Sequence, residues 1–154
     1  MRRLMLVLSA ALITGCAKKE APAPEPVVEP AAPVAPAPID LNAVAGAWDI
    51  KTMGMESDSV LVTSTLVATA DTAGWTLTLA NRKPFALSIM VSGDSVMATS
   101  PEYESALRKG VKVHTTSVYH LVGGELVGAT TAHYKVTGPD SVRMLRTKGT
   151  KVQK

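Results

Sequence analysis

The chain is poor in several residue types, and each shortage excludes something. It holds a single cysteine, Cys16, so no internal disulfide can form. Aromatic residues are only 4% of the chain, too few and too scattered among its basic residues to build a base-stacking strip, so no nucleic-acid partner is expected. The longest apolar run, residues 4–13, is ten residues, about half the ~20 that a membrane-spanning helix needs. Charge of one sign is not in excess either, with 16 Lys and Arg against 13 Asp and Glu. No Gly-x-Ser-x-Gly, Walker, Rossmann or metalloprotease pattern occurs, and no His has an acidic partner at a telling spacing. The expectation is therefore a non-catalytic protein without a cofactor.

What is present begins at the N-terminus. Arg2 and Arg3 precede the apolar run, and Ile13-Thr14-Gly15 sets small residues just before Cys16, the layout of a secretory signal. The tetrapeptide Ile13-Thr14-Gly15-Cys16 resembles the lipobox of bacterial lipoproteins. That resemblance implies that residues 1–15 are removed, that Cys16 receives a diacylglycerol and an acylated amino terminus, and that membrane lipid is the first partner. Several acyl chains, at ~0.8 kcal/mol per buried methylene, make such an anchor effectively permanent. In the same family an Asp after the cysteine marks inner-membrane retention. Ala17 resembles the outer-membrane class instead, on either the periplasmic or the surface face. Removing Arg2 and Arg3 leaves 14 basic against 13 acidic residues, a net of +1, so the precursor's +3 overstates the charge.

Residues 16–38 then form a linker. Seven of the ten prolines fall between Pro22 and Pro38, among Ala, Val and Glu and with no aromatic residue. Such a composition predicts a disordered, largely polyproline II spacer that reaches roughly 70 Å at ~3.1 Å per residue.

Residues 39–154 suffice for one domain. Apolar residues there alternate with Thr, Ser and Lys between recurring turn residues, which predicts antiparallel strands over 47–53, 59–69, 75–79, 85–92, 95–99, 111–122, 125–136 and 141–147. Asp-Ser-Val occurs at Asp58, Asp94 and Asp140, each time as turn chemistry leading into a strand. A two-residue turn at Gly93-Asp94 pairs Val91 with Val96, Ile89 with Ala98 and Met90 with Met97. A two-residue turn at Gly123-Gly124 pairs Val113 with Tyr134, Thr115 with Ala132, Ser117 with Thr130 and Tyr119 with Gly128 on the core face. The outer face then sets Lys112 beside Lys135 and His114 beside His133. That His pair is the one weak metal candidate, and a pair of solvated histidines is the plainer reading.

Ser100, Pro101, Glu102, Glu104, Arg108, Lys109 and Gly110 stand in the order of a capped helix, so a helix over 100–110 is expected, as a lid or a plug at one end of the domain. Eight sequential strands are most simply closed as an all-β, up-and-down barrel, which removes exposed edges.

Gly46-Ala47-Trp48 at the head of the first strand resembles the Gly-x-Trp motif of lipocalins and related calycins, although their Thr-Asp-Tyr motif is missing. The resemblance implies that Trp48 plugs the closed end under an Arg from a late strand, for which the inward register Val142, Met144, Arg146 offers Arg146. The inward list contains Trp48, Ser64, Trp75, Thr115, Ser117, Tyr119, Thr130, Tyr134 and Arg146. These residues suit a pocket for a small apolar or lipid-like ligand. The small ones serve equally well to make room for the tryptophans in a filled barrel. The alternative function is an interaction module whose outer face, with Met90 and Met97, docks an envelope protein or polymer.

Overall fold

The structure is a computed structural model that describes residues 37–153. The signal segment 1–15, Cys16 and nearly all of the linker lie outside the described residues, as does Lys154.

The described chain is an all-β, nearly closed antiparallel barrel. A one-turn helix, α1 (Leu41–Val44), opens it, capped by the Asp40 side chain accepting from the Asn42 N–H at 2.9 Å. The strands follow as β1 (Gly46–Gly54), β2 (Val60–Ala68), β3 (Thr76–Leu79), β4 (Phe85–Ala86), β5 (Ser88–Ser92), β6 (Ser95–Thr99), β7 (Tyr103–Glu104), β8 (Lys112–Val122), β9 (Glu125–Tyr134) and β10 (Val142–Lys151). They pair in the order β4-β3-β2-β1-β10-β9-β8-β6-β5, with β7 added to β8. Only Leu87 separates β4, which pairs with β3, from β5, which pairs with β6. Residues 85–92 therefore act as one bent strand that changes partners and draws the two ends of the sheet together. Counted in that way, and with β7 as an addition to β8, the barrel has the eight sequential strands expected of an up-and-down closure.

Local turn chemistry sets the registers. Gly123 and Gly124, at φ 59° and 82°, form the tight β8–β9 turn, in which both central residues need positive φ. Thr115 then lies opposite Ala132, Ser117 opposite Thr130 and Tyr119 opposite Gly128, as the turn arithmetic predicts. The β5–β6 hairpin sets Val91 against Val96 and Met90 against Met97. Each Asp-Ser-Val leads into a strand, at Val60, Ser95 and Val142, the last through a short 3-10 turn over Pro139–Ser141.

Apolar burial divides into two layers. At the end where the chain enters, Val44, Trp48, Ile50, Leu66, Trp75, Val96 and Leu126 pack together with almost no exposure. The Trp48 indole N–H donates to the Val44 carbonyl at 2.7 Å, which ties α1 across this end. Toward the other end Val113, Ala132, Tyr134 and Leu145 form a second cluster, with Tyr103 and Leu107 packed against it.

Two expectations are corrected. Residues 100–110 are not a helix. The end of β8 runs past β6 and needs a partner, and Tyr103 and Glu104 supply it by pairing with Val113 and Lys112. Ser100, expected to cap a helix, instead accepts from the Thr115 N–H at 2.8 Å. Capping passes to Ser105, whose hydroxyl accepts from the Leu107 and Arg108 N–H groups at 3.0 Å in a single turn.

The last strand continues to Lys151 and faces the opposite way from the predicted register. Leu145, Thr147 and Gly149 point inward, while Val142, Met144 and Arg146 point outward. A shift of one position flips every side chain of a strand. Arg146 binds the Gly54 and Ser57 carbonyls and the Asp58 carboxylate at 3.2, 3.0 and 2.8 Å on the outside of the barrel. The cation near Trp48 is Lys151, its Nζ 5.3 Å from the ring centroid and donating to the Ala43 carbonyl at 3.1 Å. Gly46 accommodates it, because a Cβ there would lie 3.0 Å from the Lys151 Cε.

Gly149 marks the closing seam between β1 and β10, where an added Cβ would sit 2.5 Å from Ile50 Cδ1 and 3.1 Å from Leu126 Cβ. Gly149→Val should therefore cost about 1–3 kcal/mol by overpacking, and Thr150→Val, one position along and facing outward, should stay within about 0.5 kcal/mol. Chemical denaturation of the two variants measures the contrast.

Candidate functional site

The interior between the two apolar layers is not filled. A cavity of about 60 Å³ remains, and six of the residues proposed from the sequence line it: Ser64, Thr115, Ser117, Tyr119, Thr130 and Tyr134. Trp48 and Trp75 do not reach it, since they pack at the closed end, and Arg146 lies outside the barrel. The small residues of β8 and β9 thus surround the cavity and not the tryptophans. Thr52, Tyr103 and Ser105 complete a wall rich in hydroxyls.

Those hydroxyls are organised. Ser117 and Thr130 share a buried hydrogen bond of 2.7 Å, and the Thr115 hydroxyl donates to Ser100 at 3.2 Å. Thr147, on the inward row of β10 two positions beyond cavity-lining Leu145, has a buried hydroxyl with no hydrogen-bond partner among the described residues. Leaving such a group unpaired costs about 1–3 kcal/mol.

The barrel wall is open on one side. β2 runs for nine residues and β3 for four, so Ser64 to Val67 pair with β3 while Val60, Leu61, Val62 and Thr63 have no β3 partner. β3 stops because Asn81 takes a left-handed φ of 59° and the Arg82 N–H turns back to the Leu79 carbonyl at 3.1 Å. Beside the gap lies a slot of about 470 Å³ between Asp49 and Lys51 on β1, Thr63 and Thr65 on β2, and Thr78 to Arg82. It shares Ile50, Ser64 and Leu79 with the interior cavity. An adjoining recess of about 320 Å³ shares Val62, Leu79 and Ala106 with that cavity. Slot and cavity thus lie on opposite sides of the same short stretch of wall, since Ile50, Ser64 and Leu79 pair on its inner face and Thr65 and Thr78 on its outer one.

Arg82 sits across this opening. Its guanidinium donates to the Glu104 carbonyl, and to the Ser105 carbonyl at 3.4 Å, which ties the β3–β4 loop to the segment after β7. It forms no ion pair with any described residue. The sequence reading passed over Arg82, Lys51 and Thr52. The mismatch between the predicted strands 59–69 and 75–79 was the signal that a gap would open there.

The His114 and His133 rings lie opposite each other as the register required, stacked with centroids 4.8 Å apart and planes within 7°. Among the described residues no group of three or more His, Cys, Asp or Glu is placed to hold a metal ion.

Compared with known proteins, the chain matches no protein-family model, and no significant match exists among curated proteins or solved structures.

Tyr119 and Tyr103 ionise above the usual Tyr value of 10.0, chiefly because burial disfavours the phenolate, with hydrogen bonds to Ser117 and Thr115 acting the other way. A folded-state value above the unfolded one means that each neutral phenol contributes stability that is complete below about pH 10 and lost as pH rises through the folded-state value. The melting temperature should accordingly drop as pH climbs past 10, the usual Tyr value, and the drop should be shallower in Tyr119→Phe than in the wild type.

Proposed function

We propose that this protein is a non-catalytic lipoprotein of the bacterial envelope, held on the outer membrane through acylated Cys16, whose barrel is a binding module for a small molecule. The observation that carries the binding reading is a hydroxyl-lined interior cavity with an open slot on the other side of the wall, beside the place where β3 stops. Magnitude decides what such a site accepts. Small-molecule pockets usually enclose ~300–1,000 Å³. The interior, at about 60 Å³, is too small for such a ligand, while the slot, at about 470 Å³, has room for one. An apolar or lipid-like ligand would have to leave its chain in a slot lined mainly by polar side chains.

The anchoring reading is supported by Ile13-Thr14-Gly15-Cys16 alone, and its reach by the Pro-rich segment after it. No described helix is long and apolar enough to cross a membrane.

One observation favours the interaction-module reading. Met90, Met97, Val118 and Ala129 are successive cross-strand partners on the outer face of β5, β6, β8 and β9, with Met90 63% exposed. An outward apolar band across four strands is a feature that contact surfaces share.

The test uses the mature protein purified in lipid nanodiscs from a bacterial host. Its N-terminal peptide should carry the mass of a triacylated cysteine, and Cys16→Ala should stay at the precursor mass and lose that lipid. Native mass spectrometry should find a small molecule on the wild type that is absent from Ser117→Trp and retained by Met90→Lys. Retention by Ser117→Trp together with loss of a copurifying protein from Met90→Lys would transfer the function to the outer face.

A further inference from the structure

The charged groups around the slot are few and unbalanced. Asp49 and Lys51 stand two residues apart on the outer face of β1, and Arg82 faces them from beyond β3. One carboxylate against two cations leaves the slot with a positive charge. None of the three is in an ion pair with a described residue.

Arg82 is also held ready. A guanidinium has five N–H donors in a rigid plane, and here the Glu104 and Ser105 carbonyls take one each. Those two bonds fix the plane at the mouth of the slot and leave the remaining donors for a second partner, without the entropy cost of immobilising a free side chain. A planar carboxylate is the group that such a fork fits best, through paired charge-assisted hydrogen bonds.

The rest of the slot sets the character of the ligand's body. Thr63, Thr65, Thr78 and Asn81 offer neutral hydrogen-bonding side chains, while alternation turns the Ile50, Ser64 and Leu79 side chains to the other face of the wall. An acyl chain leaves such groups unpaired, and a polyol satisfies them.

Resting on the binding reading above, we infer that the slot recognises a hydroxylated organic acid of the size of a hexuronic acid, with its carboxylate on Arg82 and its hydroxyls on the Thr and Asn side chains of β2, β3 and the loop that follows. Arg82 is the residue that separates an acid from its neutral counterpart.

The experiment is calorimetric titration of the mature lipidated protein in nanodiscs with glucuronate, galacturonate and gluconate, each beside its neutral relative, glucose, galactose or sorbitol. Wild type should prefer at least one acid over its neutral relative by about tenfold or more. Arg82→Gln should abolish that preference while leaving the weak binding of the neutral relative unchanged, and Arg82→Lys, which keeps the charge but not the fork, should retain only part of it. Equal binding of acid and neutral relative, or an undiminished preference in Arg82→Gln, overturns the role of Arg82 and leaves the binding module standing. Equal loss of both by Arg82→Gln, with a lowered melting temperature, assigns Arg82 to holding the loops and also overturns it. Competition by inorganic phosphate at the same concentration as the acid reduces the slot to a general anion site and overturns the organic-acid assignment. Binding of neither acids nor neutral relatives to the wild type removes this inference, and removes the binding module as well if native mass spectrometry also finds the protein bare.

Discussion

A sheet that rolls up must bring its first and last strands together, because every backbone N–H and C=O left at an edge is a cost in a buried wall and an invitation to aggregation at an exposed one. In this barrel the pairing of β1 with β10 meets most of that demand, over seven residue pairs from Trp48 with Lys151 to Gly54 with Leu145. β1 is also paired along its length with β2, and it carries Trp48 and Ile50 into the closed-end core. Gly149 permits the approach, since nothing larger fits between Ile50 and Leu126. The second closure, the change of partners at Leu87, completes the circle with a bent strand.

Closure is incomplete at one place, and that place is where the chemistry collects. Because β3 ends at Leu79, the edge of β2 from Val60 to Thr63 has no β3 partner, and Leu61, Val62 and Thr63 line a recess there. The segment after β6, which pairs briefly as β7 and then turns at Ser105, covers the open end through Tyr103 and Leu107 and reaches Arg82 through its carbonyls. A short strand and a covering loop thus leave a cavity with hydroxyl walls, and a cation at its mouth, within an otherwise aliphatic barrel.

Much of this was legible in the residues. Strand periodicity, the Gly93-Asp94 and Gly123-Gly124 turns and the three Asp-Ser-Val entries each act over a few residues, and local steric and hydrogen-bond preferences suffice to set them. Five cavity residues followed from the β8–β9 register, among them Ser117 and Thr130, whose contact is a cross-strand pair, and Ser64 from the alternation of β2. What failed had a different physical origin. The helix expected over 100–110 had good capping chemistry, but the unpaired end of β8 competed for the same backbone and won. The register of β10 had no tight turn to pin it, since residues 135–141 intervene, and a slip of one position sent Arg146 outside and left Lys151 to face Trp48.

By itself, then, the amino-acid sequence determined the all-β class, two hairpin registers and the small, hydroxyl-bearing face of β8 and β9, because these depend on period-two alternation and on turns a few residues long. Only the tertiary structure decided which face of β10 turns inward, that residues 103–104 become a strand, and that Arg82, Lys51 and Asp49 meet around one opening. Those outcomes depend on contacts between residues far apart in the chain, such as Arg82 with Ser105, 23 positions apart, and Arg146 with Gly54, 92 apart. No local pattern encodes them, since the energies that choose among them exist only once the barrel has closed.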